Sequence, residues 1–374
     1  MDDLEPAMFI VLNRAQINAI FQSITASGVQ AMLEPKTDPK IKLRRFAIYL
    51  NQNARRVSQE TVSKIEELLP PDDIYVASTP DEAMVVAGKI FDVGYETVFV
   101  GGGDGTVCLL VEALWKVAKE RGKDKIPVLG VLSMGTGNAI SRMVSSGNAI
   151  ADLRTYIANP SQDTMVMDLV SCEGRLFAFG GAGIDAEILQ DYDFLKAKFK
   201  NTFVEPAFRN AFGYVASFLL RTGPRRIKDS LKGDELTVRM TSLSEEGFWV
   251  DGDGNKGRFF GMGDVIYEGR CKTVVVGTIP IIGYGFRALP AASKRKGFFQ
   301  VRVANISVLK GIIGLRELWL GTYRGQGIMD FYARKIRCDF SKEVPLQVQG
   351  EVLGYRRSVV FEIMENALPL LRFI

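Results

Sequence analysis

From Ile41 to about residue 160 the chain alternates short apolar runs with longer amphipathic ones, and the joints between them are brief. "RRFAIYLN" reads as a buried strand and "SQETVSKIEELL" as a helix with Ser58 as candidate N-cap. "DIYVAS" is a second strand, and "TPDEAMVVAGKIFDVG" a helix opened by Thr79 with Pro80 at its first position. "TVFV" and "IPVLGVLS" are two more strands, each running through a glycine-bearing loop into a helix; the first of these helices is expected over Thr106–Glu120. Such alternation is satisfied by a parallel, doubly wound sheet with helices on both faces. After about residue 160 the texture changes. "MDLVSC", "RLFAFGG", "ELTVRMT", "GRFFGMG", "TVVVGTI", "GFFQVRVA", "RKIRCDF", "PLQVQGE" and "SVVFEI" read as short strands between glycine-containing turns, interrupted by one helical insert near Asp193–Arg221.

A chain of 374 residues exceeds what one small core organises. The expected fold class is α/β: a doubly wound domain over 41–160, then a β-rich sandwich or flattened barrel over 161–374 whose last residues can return to the first domain. Residues 1–40 read as an extension. Ile17, Ile20, Phe21 and Ile24 form the apolar stripe of one helix, and "EPKTDPK" is a linker.

Histidine is absent, which excludes imidazole bases and histidine-ligated metals. Cys108, Cys172, Cys271 and Cys338 lie far apart with no C-x-x-C pair, so zinc and disulfide scaffolds are not expected. A net charge of +4 is too weak to argue for nucleic acid, though it suits an anionic membrane surface. The start, "MDDLEP", is acidic where a signal peptide is basic, and no apolar run reaches the roughly 18 residues of a spanning helix. The expected location is cytoplasmic, with any membrane contact peripheral.

Two loops carry the candidate chemistry. "VGGGDGTV" leaves a strand and opens a helix, where unpaired N–H groups and the helix dipole favour an anion. Its glycines are expected to supply positive φ or a close approach of bare backbone to phosphate. The G-x-G-x-x-G spacing fails, because the last glycine falls on Thr106, and the Walker form fails for want of a lysine. Asp104 is open to three readings: a Mg²⁺ ligand, a proton acceptor, or a helix cap. "LSMGTGNAISR" repeats the logic one strand later, and "YLNQNARRV" adds Asn51, Asn53, Arg55 and Arg56 after the first strand. Together they point to a nucleoside triphosphate.

"DGDGNKGRFF" fails as a calcium loop, with Lys256 at its sixth position and Met262 at its twelfth, and reads as a hairpin turn. The Asp193–Lys228 segment interleaves Lys and Arg with Phe and Tyr, either as a basic, aromatic lid that touches anionic lipid or shapes an acyl pocket, or as a helical pair packed on the β-rich domain with solvated charges.

"GGDGT" with "GTGN" resembles the diacylglycerol-kinase catalytic-domain family, which includes bacterial lipid kinases, sphingosine kinases and ceramide kinases. "NQNARR", "FGGAGIDAEI", "VGTIPIIGYGFRALPAAS" and "QVQGE" extend the resemblance from about residue 45 onward. It implies an α/β nucleotide domain and a β-rich lipid domain with the active site in the cleft between, transferring the γ-phosphate of ATP to a lipid hydroxyl with Mg²⁺. Carried over, Gly102, Gly103, Asp104, Gly105, Thr106, Gly135, Thr136 and Asn138, helped by Asn51 and Thr79, would bind nucleotide phosphates. Glu351 would be the general base, Asp104 would position Mg²⁺ or assist deprotonation, and Asp185 and Glu187 would face substrate or metal. The expected partner is a lipid at a membrane surface and not nucleic acid; a homo-oligomer is compatible. Gln349 stands where the family has aspartate, and Lys294, Arg295 and Lys296 occupy the place of a structural Mg²⁺, which is therefore not expected. An NAD kinase-like enzyme and a catalytically weakened binding protein are the alternatives.

Overall fold

The computed structural model describes residues 45–374 except 53, 55–56, 136, 161–162, 203–204, 206–210, 252–253 and 374. The N-terminal helix and linker read from the sequence, with Asn53, Arg55, Arg56 and Thr136, lie outside the described residues.

Strands β1 (Phe46–Asn51), β2 (Ile74–Ala77), β3 (Thr97–Gly102) and β4 (Val128–Ser133) are parallel and lie in the order β2-β1-β3-β4. The helices between and after them are α1 (Gln59–Glu66), α2 (Pro80–Val93), α3 (Asp104–Glu120), α4 (Ala139–Met143) and α5 (Ala149–Ala158). Because side chains alternate along a strand, β1 feeds two cores. Ala47 and Tyr49 pack with residues of α2 and α3, while Ile48 and Leu50 pack with Ile65 of α1 and Leu153 of α5. The sheet is doubly wound, as its sequence pattern predicts. The chain leaves β1 for β2 on one side and β3 lies on the other, so the ends of β1 and β3 flank a topological switch point, where such sheets bind ligands.

The caps are those written in the sequence. Ser58 accepts from the Thr61 N–H at 3.2 Å, and Thr79 accepts from the Glu82 N–H at 3.2 Å. The Glu82 carboxylate returns to the Ser78 and Thr79 N–H groups at 2.6 and 3.1 Å, completing a capping box.

The second lobe is mostly antiparallel: β5 (Thr164–Cys172), β6 (Arg175–Phe177), β7 (Phe179–Gly183), β8 (Thr237–Ser242), β9 (Gly247–Val250), β10 (Lys256–Phe260), β11 (Val265–Arg270), β12 (Thr273–Gly277), β13 (Phe299–Ala304), β14 (Ile328–Ala333), β15 (Lys335–Val348) and β16 (Glu351–Leu371). Phe177, Phe299, Phe331 and Phe361 fill its core. Strand β16 pairs antiparallel with β15 and β5, then meets β4 in parallel at Leu370 and Leu129. Sixteen strands among the described residues therefore form one sheet through both lobes. The β9–β10 connection is a hairpin turn, with Asp251 accepting from the Asn255 N–H at 2.8 Å.

Helices depart from expectation in two places. The insert is longer than 193–221: α6 (Ile184–Lys198) starts directly after β7, and α7 (Ala211–Ser217), a π-helical turn (Phe218–Thr222) and α8 (Gly223–Leu231) follow. Asp191 of α6 fastens it, accepting from Arg221 Nε at 2.9 Å, Thr222 Oγ1 at 2.6 Å and Arg225 Nη2 at 2.9 Å. Two short helices, α9 (Val308–Ile313) and α10 (Leu315–Leu320), have no counterpart in the sequence reading. Gly311 and Gly314 interrupt their apolar period.

Thr79→Ala removes one half of the capping box and is expected to lower unfolding free energy by about 1 kcal/mol in urea denaturation.

Candidate active site

The glycine loop after β3 and the loop after β4 meet backbone to backbone. A Cβ on Gly135 would stand 2.2 Å from the Gly103 Cα, and one on Gly101 would stand 2.5 Å from Leu50 Cδ2. None of Gly101, Gly102, Gly103, Gly105 or Gly135 has positive φ. Close approach to other protein atoms thus explains Gly101, Gly102 and Gly135, and positive φ, one of the two reasons expected for glycine here, is not used. Gly105 differs from the rest. It lies in the first turn of α3 on a cavity wall, and a Cβ there would meet nothing of the described residues within 4 Å beyond its own helix backbone. Among the described residues nothing requires that bareness.

Asp104, the first residue of α3, is buried, and its carboxylate crosses to the second loop. Oδ2 accepts from the Ala139 N–H at 3.0 Å and Oδ1 from the Ile140 N–H at 2.8 Å. It caps a helix, but the neighbouring one, α4. Burial raises its carboxyl above the usual range, and those two N–H groups pull it back. Asn138, at φ 52°, holds the same loop by accepting from the Gly135 N–H at 2.8 Å. Asn51, at the end of β1, donates to Thr106 Oγ1 at 3.0 Å.

These loops form one end of a cavity of about 1110 Å³, with Asn51, Gly103, Asp104, Gly105, Thr106 and Gly135 in its wall. Its other end is apolar and aromatic. Tyr192 of α6 and Tyr214 of α7 stack at 4.1 Å between ring centroids, and Tyr284 meets Tyr214 edge-on at 5.6 Å. Phe218, Phe286 and Trp319 extend that wall. Described residues of the Asp193–Lys228 segment, among them Tyr214 and Phe218, thus line the cavity.

Between the ends lies Asp185, near the start of α6. It accepts from Thr273 Oγ1 at 2.6 Å and Gln347 Nε2 at 3.0 Å, and burial raises its carboxyl. Gln347 also accepts from the Gly350 N–H at 3.1 Å, fixing the β15–β16 turn. In that turn Gln349, at φ 51°, donates to Cys108 Sγ of α3 at 2.9 Å. Burial pushes the Cys108 thiol up to about 12, so it serves as an inert post. Gln347 and Gln349 line the cavity with Gly350. "QVQGE" carried the signal for them.

Of the sequence candidates among the described residues, Gly102 and Asn138 belong to the two loops without lining the cavity, and three more stand apart from it. Thr79 is spent on its capping box. Glu187 pairs with Arg226 of α8 and lies 3.7 Å from Arg225, joining α6 to α8. Glu351 is exposed and lies 3.5 Å from Arg175. The basic "SKRKG" loop is held by the chain itself: Arg295 pairs with Glu246 at 2.9 Å and lies over the Phe248 and Phe298 rings. Among the described residues no group of three or more His, Cys, Asp or Glu side chains could hold a metal.

Residues 45–172 match the family of the diacylglycerol kinase catalytic domain. Over this third of the chain the likeness is to a diacylglycerol kinase catalytic domain. Diacylglycerol kinase 2 of Arabidopsis thaliana is 25% identical over 196 residues, 46% of this chain and 26% of that relative, so the match spans about a quarter of the curated protein's length. Two solved structures from Bacillus anthracis share the fold. One, described as a diacylglycerol kinase, is 15% identical with a TM-score of 0.53 and covers 89% of this chain and 98% of that one. The other, a candidate diacylglycerol kinase, is 16% identical with a TM-score of 0.59, covering 89% and 99%. The two-lobed α/β and β-rich architecture is that of these neighbours.

Gly105→Ala and Gly135→Ala are expected to move stability in opposite directions. The first gains helix propensity, about 1 kcal/mol. The second forces backbone apart and costs about 1–3 kcal/mol or more. Paired thermal melts read both signs.

Proposed function

We propose that the protein is a lipid kinase that transfers the γ-phosphate of ATP, carried with Mg²⁺, to the hydroxyl of a diacylglycerol-type or sphingoid-type lipid. The observation that carries this reading is that one cavity joins a bare-backbone loop at a helix N-terminus to an aromatic, apolar wall. The first suits phosphate and the second suits acyl chain. Gly105 supports it, since an approaching phosphate supplies a reason for a glycine that the described residues do not require.

The N–H groups opening α3, the Asn51 and Thr106 polar atoms and the Gly103–Gly135 contact would cradle the phosphates. Asp104 fits a Mg²⁺ that arrives on the nucleotide, because that ion is commonly held by one or two carboxylates plus phosphate oxygens and water. Bound there, the ion would neutralise charge on the transferring group. Phosphoryl transfer asks little covalent chemistry of the protein, so alignment and exclusion of water dominate. The acceptor hydroxyl would sit between the two ends of the cavity, beside Asp185. Burial raises that carboxyl above its usual range, which strengthens it as a proton acceptor. Glu351 could act only after leaving Arg175, an exposed pair worth at most about 1 kcal/mol.

The test is purified protein with ATP, Mg²⁺ and a panel of diacylglycerol, monoacylglycerol, sphingoid base and ceramide. A lipid phosphate is expected from at least one of them. No lipid-dependent transfer across the panel, or a phosphorylated product from NAD without lipid, would sink the proposal.

Asp104→Asn is expected to lower kcat by about 10²-fold and to weaken the dependence on Mg²⁺. Asp185→Asn is expected to lower kcat/KM by about 10²-fold, and Glu351→Gln by less than about tenfold. The reverse ranking of the last two would hand the proton to Glu351.

A further inference from the structure

Exposed aliphatic side chains stand in and beside the wall of the cavity. Leu219, Ile312 and Leu315 line the cavity and are nonetheless 46%, 42% and 41% exposed. Around them, and outside the lining, Leu220, Leu309 and Ile313 stand 65%, 68% and 77% exposed. These residues come from two separate pieces of chain, the π-helical turn before α8 and the pair α9–α10. The pieces meet where Gly223 packs on Val308, at 3.6 Å from the position of a Cβ. Isolated exposed leucines need no explanation, but six exposed aliphatic side chains on two adjoining pieces of chain, three of them lining the cavity, do. Lys310 and Arg316, both exposed, stand among them.

We propose that this patch, centred on Leu220, Leu309 and Ile313, docks the protein on a bilayer containing anionic lipid, so that the lipid substrate enters the cavity from the membrane without crossing water. The inference rests on the lipid-kinase reading for what enters the cavity, although docking itself is measured without turnover. Aliphatic side chains flanked by basic groups match an interface with acyl chains below and anionic headgroups above. A second copy of the chain is a poorer occupant. Symmetric pairing through this patch would bring Lys310 and Arg316 towards their own copies and stopper both cavities.

The experiment compares the full chain with the double variant Leu309→Ser/Ile313→Ser, neither residue lining the cavity, and with Lys310→Glu/Arg316→Glu. Co-sedimentation uses phosphatidylcholine vesicles with and without phosphatidylserine, and thermal melts check that the folds are intact. Wild type is expected to bind, more tightly with phosphatidylserine. The serine variant should lose at least tenfold in vesicle affinity, and the glutamate variant should lose the phosphatidylserine dependence. Phosphorylation of diacylglycerol held in vesicles should fall in parallel, while that of a short-chain, water-soluble diacylglycerol stays within about twofold. Unchanged vesicle binding by the serine variant overturns the proposal. So does a wild-type dimer in light scattering that the serine variant converts to monomer without any vesicle binding by either. Absence of turnover on every substrate, with vesicle binding lost in the variant, strikes the kinase reading and leaves the docking surface standing.

Discussion

Everything at the candidate site depends on two loops touching through bare backbone. With Gly103 against Gly135, the ends of β3 and β4 approach as closely as their chains permit, and Asp104 can then reach across to the first N–H groups of α4. One short-range packing constraint thus sets the position of two helix starts at once. A side chain at Gly135 would separate the loops, and the carboxylate would lose its partners in the same movement.

That arrangement also reconciles two roles for one residue. A carboxylate beside a phosphate site looks electrostatically misplaced until its oxygens are seen to hold backbone donors. Each oxygen retains a further lone pair, so Asp104 can cap α4 and still face the cavity. The aromatic end is built differently. Its stacked tyrosines come from α6, α7 and the turn at Tyr284, and it is fastened by Asp191 and Glu187 to arginines on the following helical elements. One end is rigid backbone; the other is a strap of helices held by side-chain ion pairs.

The parallel half was legible because its signals are local. Ser58, Thr79 and Pro80 mark helix starts through their immediate neighbours, and the continuous apolar run at β1 announces a strand buried on both faces. Both glycine loops were visible for the same reason, although why they need glycine was not. Positive φ is a property of one residue, whereas the Gly103–Gly135 contact joins residues 32 positions apart. The remote partner likewise hid the role of Asp104, and hid from view that Glu187 answers to Arg226. Helices α9 and α10 were lost because Gly311 and Gly314 break a period too short to register. Strands β15 and β16 looked like several short strands because Pro345 and Gly354 punctuate them, yet each continues through a register shift.

The 21-residue strand β16 has a consequence for how the molecule comes apart. It is hydrogen-bonded in one lobe to β15 and β5 and in the other to β4, so neither lobe can lose its sheet without freeing an edge of the other. An exposed edge is a template for wrong pairing as well as a loss of hydrogen bonds. The two lobes are therefore not separate cooperative units in the sense that hydrogen exchange would resolve. They share a spine, and large opening of the cleft by swinging one lobe away is denied to them. Room for a ligand to enter and leave must come from the helical strap instead.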